Sequence, residues 1–107
     1  MIVIRDYMTA AMQDEICRVG IEAKVAVIGQ QGEFARAGAL FSYGADIGDL
    51  FRRAAGYVDL ILKGQKPAQM PIQLPTKFEL LVNMKTALAL GVSIPPTILV
   101  LTDEIIE

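Results

Sequence analysis

The sequence predicts a small α/β domain, a mostly parallel sheet flanked by helices, formed as a single unit over residues 1–107. Three observations predict it. Short apolar runs such as Ile2-Val3-Ile4 and Val25-Ala26-Val27-Ile28 lack polar alternation, the pattern of strands buried on both faces. Segments of helical periodicity separate these runs, as crossover connections between parallel strands require. A length of 107 residues with 53% apolar composition supports one thin core and leaves no room for a second domain.

Taken in order, Ile2-Val3-Ile4 reads as a strand closed by Arg5-Asp6. Thr9 is a candidate N-cap for a helix in which Ala11, Met12, Ile16 and Val19 recur at helical spacing, and Gly20 is the expected stop. Val25 to Ile28 forms the second strand, closed by Gly29-Gln30-Gln31-Gly32. One helical turn from Glu33 to Ala37 leads to a third strand, Ala39 to Tyr43. Asp46 is placed to cap a long helix, with Asp49 three residues on, where a carboxylate favours the positive end of the helix dipole. Ile47, Leu50, Phe51, Ala54, Val58, Ile61 and Leu62 share one face of that helix, and Gly64 ends it. Pro67, Pro71 and Pro75 keep the next stretch extended. Phe78 to Val82 is a further strand, Asn83 caps a helix from Met84 to Leu90, and Gly91 stops it. One or two short helices are expected after the Pro95-Pro96 turn.

The residue inventory excludes much chemistry. There is no histidine and a single cysteine, Cys17, so Ser/His and Cys/His nucleophile systems, zinc sites built on His or paired Cys, and an internal disulfide are all ruled out. Cys17 sits in an apolar-periodic helix and reads as a buried, unreactive thiol. Ten basic against twelve acidic residues give a net charge of -2, which argues against nucleic acid as a partner. No catalytic residues, metal site or cofactor are expected. The longest apolar run near the end, Ile98 to Leu101, is far short of the ~20 residues that span a bilayer. The first residues lack the features of an export signal, so the chain reads as cytoplasmic if translated as written.

In parallel sheets, ligands bind beyond the carboxyl ends of the strands. That rule directs attention to Arg5-Asp6, Gly29 to Gly32, and Ser42 to Asp46. Ser42, Tyr43, Gly44 and Asp46 combine a strand end, a glycine and a helix start, where backbone N–H groups can face a ligand and Tyr43 can add a ring and a hydroxyl. The same residues are also read as a turn glycine, a cap and a packed ring. Gln30 and Gln31 offer amides to a small polar ligand, or form a plain surface turn. Asp14-Glu15 and Asp103-Glu104 read as solvated acidic faces. Arg52-Arg53 reads as surface ion pairs with Asp49 and Asp59.

The run Ala39-Leu40-Phe41-Ser42-Tyr43-Gly44-Ala45-Asp46, followed by Asp49 to Asp59 and Ile61-Leu62-Lys63-Gly64, carries a specific resemblance. It extends through Lys66-Pro67-Ala68, Leu74 to Leu80, Asn83 to Ala87, Ala89-Leu90-Gly91, Ile94-Pro95-Pro96 and Asp103-Glu104 to Glu107. These stretches resemble the C-terminal part of bacterial ABC transporter substrate-binding proteins of the tryptophan/tyrosine type. The resemblance implies part of a periplasmic-binding-protein type I fold, in which two α/β lobes hold a small solute between them. It implies a small amino-acid-like solute of the aromatic amino acid class, an ABC permease as partner, and a periplasmic or cell-envelope location. Members of that family are much longer and carry a signal sequence; this chain resembles only their final third. Many of them place an aromatic and a basic residue where this chain has Gln30-Gln31-Gly32.

The resulting expectation is a solute-binding component, or a C-terminal portion of one, that binds weakly or not at all alone. By analogy the long helix would pack on a lobe outside this sequence, so its apolar face predicts a homo-oligomer. The alternative is a free-standing cytoplasmic interaction module that uses the same face. A flavodoxin-like enzyme would need a phosphate or flavin loop that the sequence lacks.

Overall fold

The computed structural model describes residues 1–107 throughout. Five strands form one sheet in the order β1 (Ile2–Val3), β2 (Ile28–Gly29), β3 (Phe41–Ala45), β4 (Phe78–Asn83) and β5 (Glu104–Ile106). The pairs β1/β2, β2/β3 and β4/β5 are parallel. The runs expected to be buried are buried only in part: Ile2 and Ile4 are 76% and 75% exposed because β1 is an edge strand, and Val25 is exposed and lies outside β2. Six helices accompany them: α1 (Tyr7–Ala11), α2 (Gln13–Glu22), α3 (Gly32–Ala37), α4 (Ile47–Leu62), α5 (Met84–Leu90) and α6 (Pro96–Val100). The chain divides into two compact units, residues 1–44 with 79–107, and residues 45–78.

In the first unit the sheet has apolar cover on both faces. Val3, Val27 and Ala39 pack with Cys17 and Phe34, while Leu40 and Val82 pack with Ala87 and Ile94. Neighbours in sequence separate to opposite clusters, Ala26 from Val27 and Ala39 from Leu40, because successive side chains of an extended chain alternate faces. Cys17 is fully buried, and burial pushes its thiol pKa up, with Asp14 adding to the shift. That environment fits an inert core thiol.

Several elements begin or end elsewhere than the sequence suggests. The first cap is Asp6, not Thr9: the Thr9 N–H donates to Asp6 Oδ1 at 2.7 Å, and the Asp6 N–H donates to Thr9 Oγ1 at 2.9 Å. Thr9 is therefore the reciprocal partner in a capping box. Gly20 does not stop α2. It lies inside the helix, buried where a Cβ would collide with Val27, so it serves close packing. Met12 and Val19 are exposed, and α2 turns Ile16, Cys17 and Gly20 to the core instead. Beyond α6 the chain forms β5 rather than a second helix. Asp103 sets its register by accepting from the Leu80 N–H at 2.8 Å and donating its own N–H to Leu80 O. Glu104 pairs with Arg36 at 2.6 Å. Asp103 and Glu104 are exposed, as a solvated acidic face should be, and in addition they tie the edge strand to Leu80 and Arg36.

Asn83 and Gly91 delimit α5 as expected. The Asn83 side chain accepts from the Thr86 N–H at 3.0 Å, and Gly91 takes the left-handed conformation with φ 70°, which an L side chain adopts only at a cost.

The second unit is built differently. Asp46 caps α4 by accepting from the Asp49 N–H at 3.0 Å and pairs with Lys77 at 2.7 Å. Lys77, then the Asp49 N–H, hold its carboxyl below the usual carboxylate range. Helix α4 contains no buried residue. Residues 71–76 are strapped to it by polar contacts: Tyr57 donates to Pro71 O at 2.6 Å, and Arg53 donates to Gln73 Oε1, Leu74 O and Thr76 Oγ1 at 2.9–3.3 Å. Of the ion pairs expected around Arg52-Arg53, Arg52 pairs with Asp49 at 3.2 Å; Asp59 instead pairs with Lys63, and Arg53 is the strap.

Asn83 joins more elements than any other buried polar residue. Its Nδ2 donates to Ala35 O at 2.8 Å, its Oδ1 caps α5, and its backbone N–H donates to Leu40 O. Asn83→Ala strands two partners, the carbonyl of Ala35 and the Thr86 N–H at the start of α5, so it is expected to lower stability by roughly 2–3 kcal/mol. Urea unfolding checks this; a midpoint equal to that of the unmodified chain would contradict it.

Candidate functional site

The carboxyl ends of β1, β2 and β3 come together because the strands are parallel and in register. Val3 pairs with Gly29, and Gly29 pairs with Ser42, so the residues that follow leave the sheet side by side. Arg5 follows β1, Gln30 and Gln31 follow β2, and Tyr43 and Gly44 continue β3 beyond this row. Gln30 Oε1 accepts from the Arg5 N–H at 3.1 Å, which joins the first two loops. At Gly44 a Cβ would overlap the carbonyl oxygen of Gln30; only glycine lets β3 pass so close to the loop after β2.

Each expected site residue occupies a distinct environment. Tyr43 is 60% exposed at the strand end, so it is not a packed core ring. Gln30 is exposed. Ser42 is only 1% exposed, and its hydroxyl has no hydrogen-bond partner; Gln31 Oε1 is likewise buried without one. Leaving such groups unpaired costs about 1–3 kcal/mol each, so two orphaned polar atoms on neighbouring strand ends mark a place where the fold gives up stability. Asp46 lies in the second unit, with both carboxylate oxygens engaged by Asp49 and Lys77. No cluster of three or more His, Cys, Asp or Glu side chains is placed to hold a metal ion.

A further feature of this end of the sheet was not singled out residue by residue from the sequence. A pocket of about 440 Å³ opens beside Arg5, lined by Arg5, Asp6, Tyr7, Ala10 and Ala11. The strand-end rule had pointed to Arg5-Asp6, but a charged residue directly after a β-branched run is also how an ordinary strand terminates, and nothing local marked Tyr7, Ala10 and Ala11.

Residues 1–106 match the family model described as ABC transporter substrate binding protein. The chain belongs to this family. A conserved domain protein from Vibrio cholerae superposes with a TM-score of 0.91 at 26% identity, over 97% of this chain and 35% of that one. A Streptococcus pneumoniae ABC domain solved in complex with L-Trp superposes with a TM-score of 0.89 at 23% identity, over 98% and 36% of the two chains. A ligand-free, open substrate-binding protein with adhesive properties from Clostridium difficile gives 0.64 at 24% identity, over 89% and 32%. No curated protein matches. The chain thus spans about a third of the length of the solved structures it resembles. The ABC substrate-binding family is one of binding proteins rather than enzymes, in keeping with the residue inventory, and these neighbours share the α/β architecture read from the sequence.

The close approach at Gly44 and the orphaned hydroxyl of Ser42 have opposite consequences for stability. Gly44→Ala is expected to destabilise by about 2 kcal/mol, because backbone must move to admit the methyl group. Ser42→Ala is expected to be neutral or to stabilise by up to about 1 kcal/mol, because it removes a buried group that has no partner. Thermal and urea unfolding of both variants check the pair, and a strongly destabilised Ser42→Ala would mean that the hydroxyl is satisfied after all.

Proposed function

We propose that this chain supplies one wall of the solute cleft of an ABC-type importer, and that the solute is a small amino-acid-like molecule. The observation that carries the reading is the meeting of three parallel strand ends at Gln30, Gln31, Ser42, Tyr43 and Gly44, in a chain of the substrate-binding family. Tyr43 presents a ring and Gln30 an amide at the surface, while Ser42 and Gln31 hold unpaired polar atoms beneath it. These are the elements of a site that is mostly apolar, with a few placed polar groups. That a structural neighbour was solved with L-Trp supports an aromatic amino acid as the class to try first. In this reading the partners are that solute and a membrane permease, and the working location is the periplasm or cell envelope. Asp46 contributes by capping α4 and fixing the chain where it leaves β3.

Since the chain spans about a third of its neighbours, its cleft is incomplete and affinity alone is weak. Saturation-transfer NMR on the 107-residue chain is expected to show millimolar binding of L-tryptophan or L-tyrosine and none of glucose, with the signal reduced in Gln30→Ala and Tyr43→Ala. No transfer to any amino acid would defeat the solute-binding reading, and micromolar affinity by calorimetry would defeat the incomplete cleft.

The second unit favours association as well. Phe51 is 73% exposed, and Val58, Leu62, Ile72 and Leu74 are exposed too, more apolar surface than so small a unit ordinarily leaves in water. Sedimentation velocity is expected to show concentration-dependent self-association that Phe51→Ser with Val58→Ser weakens; a clean monomer at all concentrations would contradict it. The same surface is what a free-standing interaction module would use.

A further inference from the structure

Five arginines occur in the chain, and four have partners. Arg18 pairs with Glu22, Arg36 with Glu104 and Arg52 with Asp49, while Arg53 holds the strap over α4. Arg5 differs. Its backbone N–H donates to Gln30, but its guanidinium enters none of the ion pairs or side-chain hydrogen bonds of the fold. The neighbouring Asp6 does not neutralise it, because that carboxylate is turned to the Thr9 N–H to cap α1. Arg5 instead lines the 440 Å³ pocket at the end of β1.

The rest of that pocket is suited to a ligand of one kind. Tyr7 is 95% exposed, a large ring left in water by a fold that has no structural use for it. Ala10 and Ala11 line the pocket with methyl groups and keep it open. The start of α1 offers no anion site of its own, since the capping box already occupies it. A negative charge entering here meets a single guanidinium, with the capping carboxylate of Asp6 beside it. One cation beside an acidic neighbour matches a monoanion better than a dianionic phosphate, and a planar fork matches a carboxylate in geometry.

We propose that this pocket is the carboxylate subsite of the cleft: the Arg5 guanidinium takes the carboxylate of a small zwitterionic solute, and the Tyr7 ring covers its apolar body. The inference rests on the solute-binding reading above and adds the residues that orient the solute. With its carboxylate at the end of β1, the solute extends past Gln30 toward the strand ends where Tyr43 is exposed.

Titration of the ¹⁵N-labelled 107-residue chain with L-phenylalanine tests it, with phenethylamine as the analogue that lacks the carboxylate. L-Phenylalanine is expected to move the amide signals of Arg5, Tyr7 and Ala10, and to lose about tenfold in affinity in Arg5→Gln. Phenethylamine is expected to bind more weakly than L-phenylalanine and to be indifferent to Arg5→Gln. That variant breaks no bond within the chain, so its spectrum should stay dispersed. Equal affinity of the two chains for L-phenylalanine, with shifts confined to Gln30, Gln31 and Tyr43, would overturn the subsite and leave solute binding standing. A chain in which no amide moves would overturn both.

Discussion

Asn83 is the polar joint on which the first unit depends. It ends β4, bonds through its backbone to Leu40, reaches Ala35 at the end of α3 with its side-chain N–H, and caps α5 with its side-chain oxygen. A buried amide is costly unless every group finds a partner. Here both side-chain groups do, which turns a polar residue in an apolar sheet into a constraint on four elements at once. Thr86 extends the joint, donating its hydroxyl to Gly38 O at 2.9 Å. The link between α3 and α5 is therefore directional, whereas the apolar clusters on either side of the sheet are not.

That constraint has a consequence for the far end of the strands. With β1 to β3 held in parallel register, their carboxyl ends must open at one place, and the loops that follow are free to differ in chemistry without disturbing the core. The residues there behave accordingly. Gly44 allows two backbones to touch, Ser42 and Gln31 keep unpaired atoms, and Arg5 and Tyr7 face outward with no structural employment. Gly44 admits no side chain and Ser42 and Gln31 leave buried polar atoms unpaired, so these positions are not arranged for stability alone, whereas the exposure of Arg5 and Tyr7 is ordinary for a protein surface.

The second unit obeys other rules. It has no buried core; its order comes from the capping of α4 by Asp46, the Asp46–Lys77 pair, and the polar straps from Arg53 and Tyr57. Bonds of this sort fix direction but each contributes little in water. The apolar residues of α4 are correspondingly left outside or only partly covered.

Much of this was legible in the residues. The apolar runs announced parallel strands, though not their burial, since Ile2, Ile4 and Val25 are exposed, and Asp46, Asn83 and Gly91 announced the ends of two helices, because caps and left-handed stops are decided within three or four residues. The family resemblance rested on local motifs in the same way. Other features depend on partners far along the chain. Glu104 meets Arg36 across 68 positions, and Asn83 meets Ala35 across 48. Hence β5 was not read as a strand and the ties of the exposed Asp103-Glu104 pair were not foreseen, while Gly20 looked like a stop until Val27 was seen against it. Arg52 and Arg53 are neighbours in sequence, yet only the fold separates an ion pair from a strap. Local order gave four of the strands and the caps of α4 and α5, since periodicity and short-range hydrogen bonding are properties of neighbours. Only the tertiary structure decided that Ser42 is sealed, that Tyr43 and Tyr7 are open, and that Arg5 alone among the arginines stands unpaired, since burial and pairing belong to whichever distant segments the sheet brings into contact.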